Sequence, residues 1–473
     1  MATDKKKLSQ FSFFAMTASL FITVYEYPTF AESGVMLIFY LLVCGIFWFL
    51  PVALCSAELA TIEGYQEGGI FGWVGKILGE KYGFAAIFFQ WFQITVGFVT
   101  MIYFIIGALA YALKIPEINS NSMLKFLCVL VIFWALTFMQ FKGTQLTAKV
   151  AKAGFIFGII IPVLLLLVFA IKYFVSGHAV AHSFTSKGFF PENKESFAAL
   201  VSFMLAYMGV EASAPHIKDL DNPQKNYPKI MVILVVVGIT LSTIGGSVVS
   251  MVIPDSKLSL NTGVVQAFEA LILTGHPAMA IVVKIIAVLL AFGVIAQVSS
   301  WIVSPTEGLR TVAEKGLLPA KFKKVNKNGV PVPLIYLQGI VVTVWAAILT
   351  FGGGGNNVSF LTAISLTVII YLSAYILLFI SYFFLVLKPK NQSLVRSYQV
   401  PGGKIGKLII SASGLIISVL AIISAFIAPS ELKHAEASTY IMTLSAGFII
   451  TLVLPFVFYH FYSKHKKTVA KGS

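Results

Sequence analysis

Charge and cysteine are scarce in this 473-residue sequence. Only 11% of its residues are charged, against roughly 25% in a soluble domain, so there are too few ionic groups to cover the apolar content with a water-facing surface. The three cysteines, Cys44, Cys55 and Cys128, lie inside apolar runs with no CxxC or metal-ligand spacing. That excludes a disulfide scaffold or a zinc site and leaves them as small buried hydrophobes. No HExxH, GxSxG, Walker-type loop or paired-carboxylate motif sits on a candidate domain, so the sequence predicts neither an enzyme nor a metal or organic cofactor. Acidic residues are few as well, 19 against 34 Lys and Arg, for a formal charge of +15. The basic residues are spread over many segments rather than gathered in one patch, which argues against nucleic acid as a partner.

What the sequence has in abundance is apolar length: 58% of residues are hydrophobic and the mean hydropathy is +0.90. A transmembrane helix needs roughly 20 apolar residues, and runs of that kind fall at 11–30, 35–59, 84–113, 124–141, 151–176, 196–215, 229–253, 278–303, 332–351, 357–387, 408–428 and 438–461. The pattern predicts an all-α polytopic membrane protein with about 12 transmembrane helices, its partner being the lipid bilayer. The first run has no small-residue cleavage site and is expected to stay as span one.

With the N-terminus in the cytoplasm, most Lys and Arg fall in cytoplasmic segments. Only Lys114, Lys125, Lys172, Lys187, Lys194, Lys257, Lys284 and Lys433 lie at or near the opposite face, a skew that satisfies the positive-inside rule. Both termini are therefore expected in the cytoplasm, and the basic balance follows from topology and anionic inner-leaflet lipid. Trp48 and Trp73 read as interfacial anchors, and Glu58, near the cytoplasmic end of span two, as a solvated acid.

Two spans are interrupted. Span one carries Tyr25-Glu26-Tyr27-Pro28, and span six, five spans later, carries Gly209-Val210-Glu211-Ala212-Ser213 followed by Pro215. Proline removes a helical hydrogen bond and glycine lowers the cost of unwinding, while lipid offers no partner to a free backbone group. Broken helices at corresponding positions of two halves point to a transporter with inverted repeats and a midplane site. The chain then divides into an N-terminus (1–10), a first repeat (11–176), an extracytoplasmic loop (177–194), a second repeat (195–387), a cytoplasmic loop (388–407), two further spans (408–461) and a short cytoplasmic tail (462–473). Glu26 reads as a cap on the second half of span one, and His216 as structural.

Three stretches carry a family resemblance: Glu67-Gly68-Gly69-Ile70-Phe71-Gly72-Trp73, Asn222-Pro223 to Asn226-Tyr227-Pro228, and Ser304-Pro305-Thr306-Glu307-Gly308-Leu309-Arg310 to Gly316-Leu317-Leu318-Pro319. They follow spans two, six and eight, and in that order they resemble the signatures of amino acid–polyamine–organocation transporters. Within that superfamily the chain is similar to bacterial glutamate/GABA antiporters, through Val24 to Phe30, Tyr207 to Ser213, Ser300 to Val303, Asn326 to Pro331 and Gly352 to Asn357. The resemblance runs from about residue 8 to about 460 and implies a LeuT-like five-plus-five inverted repeat in a bacterial cytoplasmic (inner) membrane.

The resemblance also implies that Tyr25, Leu205, Glu211, Trp301, Tyr371 and Tyr375 bind substrate, with Glu211 and the position of Gln297 in gating or proton sensing. That last position departs from the pattern, which has a carboxylate four residues before the Trp of span eight. An ionisable group in a membrane segment is functional by default, and free N–H groups at the helix breaks suit a substrate α-carboxylate. No Lys or Arg is expected near the midplane, so an ionised acidic side chain would meet no cation there. The expected cargo is glutamate with its side chain protonated, exchanged at acid pH for GABA or a related amino acid and coupled to a cytoplasmic glutamate decarboxylase in acid resistance. The tail after the last span is expected to be too short to plug the midplane. Two other readings stay open on sequence: a proton-coupled or uniport amino acid importer, and an amino-acid-sensing receptor that does not translocate.

Overall fold

The computed structural model describes residues 8–65, 68–182, 188–192, 195–274, 276–352, 355–391, 393–429, 432 and 434–469. Glu67, Lys187, Lys194, Gly353, Gly354, Lys433, Lys471 and the run Lys5, Lys6, Lys7 lie outside them. Among the described residues eleven helices are long and apolar enough to cross a membrane: Met36–Thr61, Glu80–Leu113, Ser122–Gln140, Lys149–Val175, Ser196–Asp219, Pro223–Val252, Pro277–Glu314, Val332–Phe351, Asn357–Leu387, Gly403–Ala425 and Ala435–Ser463. These are spans two to twelve. Span one is made of two shorter helices, Gln10–Phe21 and Tyr27–Ala31. The described residues form no β-strand, only isolated bridges of Leu8 with Leu220 and Ile62 with Arg396. An all-helical result suits lipid, because each helix satisfies its own backbone.

Spans three, six and ten are enclosed by the others, whereas spans four and twelve turn much of their surface outward. Spans five and eight approach so closely that a Cβ on Gly158 would stand 2.2 Å from the Cα of Gly293. Small residues take this place because, without a hydrophobic force between helices in lipid, close packing drives their association.

Several details differ from expectation. Span eight runs on unbroken to Glu314, so Ser304 to Arg310 form its last turns and not a loop. Beside Pro305, Thr306 Oγ1 donates to the carbonyls of Ile302 and Val303, and Gln338 Nε2 donates to that of Ile302. Three helices lie outside the expected runs: Ile70–Leu78 after span two, the short Glu117–Ser120 between spans three and four, and Gly263–Leu273 between spans seven and eight. The helix of span twelve continues to Val469, so the segment assigned to a tail begins as helix. Cys44 and Cys55 are buried, but Cys128 is only half-buried.

Trp48 and Trp73 are not interfacial anchors. Both are fully buried, Trp48 donating to Ser418 Oγ (2.8 Å) and Trp73 to the Tyr65 carbonyl (3.0 Å), because a buried indole N–H must find an acceptor. Glu58 is not solvated either. It is fully buried and ion-paired with Arg396 (2.6 Å) and Lys407 (2.8 Å).

Candidate functional site

Span one loses its helix at Phe21 and regains it at Tyr27. Span six loses its helix at Leu205 and resumes at Val210 as a 3-10 helix to Asp219. The turn in span six needs Gly209, whose φ of +110° is one that L side chains rarely adopt. A Cβ there would also come within 2.8 Å of Trp301 Cζ2. Gly209→Ala should therefore cost about 1–3 kcal/mol and push the indole aside; an unchanged melting temperature in detergent and unchanged transport would refute this.

Breaking span one frees carbonyls that a continuous helix would occupy. Leu20 O accepts from Trp301 Nε1 (2.8 Å) and from Gln297 Nε2 (3.1 Å), both on span eight. Between the two breaks lies a small cavity. Span one contributes Leu20, Phe21, Tyr25 and Glu26 to its wall, span six Leu205 and Met208, and span eight Gln297 and Trp301. Span three adds Gln93, Gly97 and Thr100 among others, and span ten adds Thr367 and Tyr371. The open volume is about 20 Å³, room for one water, so an amino acid fits only if these side chains move apart. None of the lining residues is Lys or Arg.

Tyr25, Leu205, Trp301, Tyr371 and Gln297 thus meet at one cavity, while Glu211 and Tyr375 do not line it. Glu211, 1% exposed, sits behind the wall and holds it in place. Its Oε1 accepts from Tyr371 (2.5 Å) and Gln90 Nε2 (2.9 Å), and its Oε2 accepts from Tyr375 (2.5 Å). Tyr375 Oη in turn accepts from Gly209 N at 2.9 Å, which ties this carboxylate to the break itself. Tyr371 and Tyr375, four residues apart, share a helix face with ring centroids 4.7 Å apart.

Glu26 occupies the cap position expected of it, but its side chain makes no capping bond; it lines the cavity instead. Sequence reasoning also passed over Gln90, Gln93, Thr100 and Thr367. A signal existed for the glutamines: two amides three residues apart, inside a span otherwise apolar, mark an inward face. Gln297 Oε1 and Thr367 Oγ1 are buried without a hydrogen-bond partner among the described residues, and both residues line the cavity. Burying such atoms is costly unless something polar meets them.

Glu211→Gln would place an amide donor against a tyrosine hydroxyl that already donates. It should release Tyr375 and, through lost charge-assisted bonds worth about 1.5–3 kcal/mol each, weaken substrate affinity by at least about tenfold. Binding measured on the purified variant checks this, and unchanged affinity removes Glu211 from the site.

The sequence profile of the amino acid permease family matches residues 8–454. The chain is 52% identical over 463 residues to the glutamate/gamma-aminobutyrate antiporter of Lactococcus lactis subsp. lactis, covering 98% of this chain and 92% of that protein. To the protein of the same name in L. lactis subsp. cremoris it is 53% identical, with the same coverage. A more distant relative, an uncharacterized transporter of Legionella pneumophila, is 30% identical over 97% of both chains. With two broken spans facing one cavity in a twelve-span helical fold, and a family match over nearly its whole length, this chain belongs to the amino acid permease family.

Proposed function

We propose that the protein is an amino acid antiporter that imports glutamate with its side chain protonated and exports GABA or a related amino acid, by alternating access. The observation that carries this reading is a cavity walled by apolar side chains, neutral polar groups and one carboxyl, Glu26, with no Lys or Arg among its lining residues. An ionised acidic side chain entering it would lose its hydration and meet no counter-charge, whereas a neutral carboxyl group can pair with Gln297 Oε1 and Thr367 Oγ1 by donating or accepting. The substrate α-carboxylate takes the N-terminal end of Val210–Asp219, where the helix dipole favours an anion. Tyr25, Leu205, Trp301 and Tyr371 contact the substrate directly. Glu211 and Tyr375 position them and couple the span-six break to span ten. Gln297 holds the broken end of span one and is electrically neutral, so proton sensing at this position is absent and Glu211 carries the gating role. The relatives named glutamate/gamma-aminobutyrate antiporters support the same cargo.

The repeats 11–176 and 195–387 move against each other around this cavity, in a bacterial inner membrane with both termini cytoplasmic. Coupling to a cytoplasmic glutamate decarboxylase closes a proton cycle. Neutral imported glutamate loses its α-carboxylate as CO₂ and gains one proton in its place; leaving as cationic GABA, it carries that proton out. Counterflow tests the exchange: GABA-loaded proteoliposomes take up labelled glutamate and empty ones take up almost none. Equal uptake into both would replace exchange with uniport.

A further inference from the structure

Glu26 is the one carboxyl among the residues lining the central cavity, and the exchange reading leaves it without a task. It is 2% exposed and stands where span one regains its helix. The segment around it is held from outside the cavity. The Tyr27 ring packs so closely on Gly245 of span seven that a Cβ there would stand 2.1 Å from Tyr27 Cε2. Pro28 packs on Gly263 in the same way, with 2.9 Å from such a Cβ to Pro28 Cβ. The Glu26 carbonyl accepts from Thr29 N (3.0 Å), Phe30 N (3.2 Å) and Thr29 Oγ1 (2.6 Å). Its backbone thus starts the short helix, while its carboxyl makes no capping bond and borders the cavity.

A carboxylate taken out of water is costly unless a cation meets it. The groups around Glu26 are phenols: Tyr25 hydrogen-bonds to it, and Tyr27 and Tyr207 lie within reach of its charge. No Lys, Arg or His is among the lining residues. Other acceptors near the breaks are engaged. Glu211 takes Tyr371, Gln90 and Tyr375 from behind the wall, and Leu20 O takes Trp301 and Gln297. We propose that Glu26 is the counter-ion for the ammonium group of the cargo and sets the preference for an amine over a neutral group of the same shape. A charge-assisted hydrogen bond between the two is the strong kind. The identity of the cargo rests on the exchange reading. In glutamate the ammonium stands one carbon from its own α-carboxylate, which already compensates part of its charge. In GABA three methylene carbons separate the two groups, so GABA depends more on Glu26.

Competition binding on the purified, detergent-solubilised full chain tests this, with labelled GABA and labelled glutamate as probes. The competitors are 4-hydroxybutyrate and 2-hydroxyglutarate, in which a hydroxyl replaces the ammonium. Wild type should bind GABA at least about tenfold more tightly than 4-hydroxybutyrate, and Glu26→Gln should close that gap to within about twofold. The gap between glutamate and 2-hydroxyglutarate should narrow in the same direction but less. If Glu26→Gln weakens each amine and its hydroxyl analogue by the same factor, Glu26 only supports the helix and the proposal falls. Should Glu26→Gln not fold, Glu26→Asp decides, because it draws the charge back by one methylene. It should weaken GABA and leave 4-hydroxybutyrate within about twofold of wild type; equal loss of both overturns the proposal. Failure of the exchange reading is distinguishable. It shows as glutamate uptake that needs no internal GABA, or as no GABA binding by wild type, and the glutamate pair then decides Glu26 by the same comparison.

Discussion

GABA-loaded proteoliposomes will take up labelled glutamate about 80 times faster at an outside pH of about 5 than at about 7, at glutamate concentrations far below saturation. The factor is the ratio of protonated side chains. A free Glu carboxyl titrates at roughly 4.3, so about one molecule in six is neutral at pH 5 and about one in 500 at pH 7. The sign follows from the cavity, since lowering the pH raises only the species that can enter a wall without Lys or Arg. An ionised side chain would also stand near the carboxyl of Glu26 with no cation between them. The contrast should shrink for glutamine, whose side chain does not titrate in this range. A flat profile for glutamate would mean that the ionised form is carried, and the cavity as described gives that form no partner.

The architecture was largely legible because lipid permits so few solutions. Long apolar runs become spans, and Tyr25 to Pro28 and Gly209 to Pro215 become breaks, since no continuous helix accommodates Gly209 at φ +110°. Tyr371 and Tyr375 could be paired from their spacing alone. Their common acceptor, Glu211, could not be read from that spacing. The carboxylate reads as a ligand for substrate ammonium until Gln90, from a span 121 residues away, is seen to share it. Contacts at long sequence separation were what the sequence hid. Trp48 reads from sequence as a span-end anchor; Ser418, 370 residues on, makes it a core residue. Glu58 looked solvated because its partners come from a loop and a span more than 330 residues later.

Those partners give the largest expected effect on stability. Glu58 Oε1 accepts from Arg396 Nη1 (2.6 Å) and Lys407 Nζ (2.8 Å), and its Oε2 accepts from Tyr382 Oη (2.7 Å) and Val400 N (2.7 Å). Arg396 Nη2 also donates to the Asn391 carbonyl at 3.0 Å, and Glu63 N to that of Val395 at 3.0 Å. One carboxylate thus ties span two to span ten, to span eleven and to the connection between them. Glu58→Ala would leave two cations with side chains 8% and 10% exposed and no shared counter-charge. Breaking a buried pair by removing one partner costs about 3–5 kcal/mol, more than the pair itself contributes, because the remaining charge stays desolvated. Thermal denaturation of the detergent-solubilised variant should fall well below wild type, while Glu117→Gln, an exposed acid, should move stability by no more than about 0.5 kcal/mol. Replacing Glu58, Arg396 and Lys407 together by methionine should recover much of the loss, since it removes the stranded charges as well as the pair. If Glu58→Ala melts like wild type, the cluster is not what holds the loop 388–407 against span two.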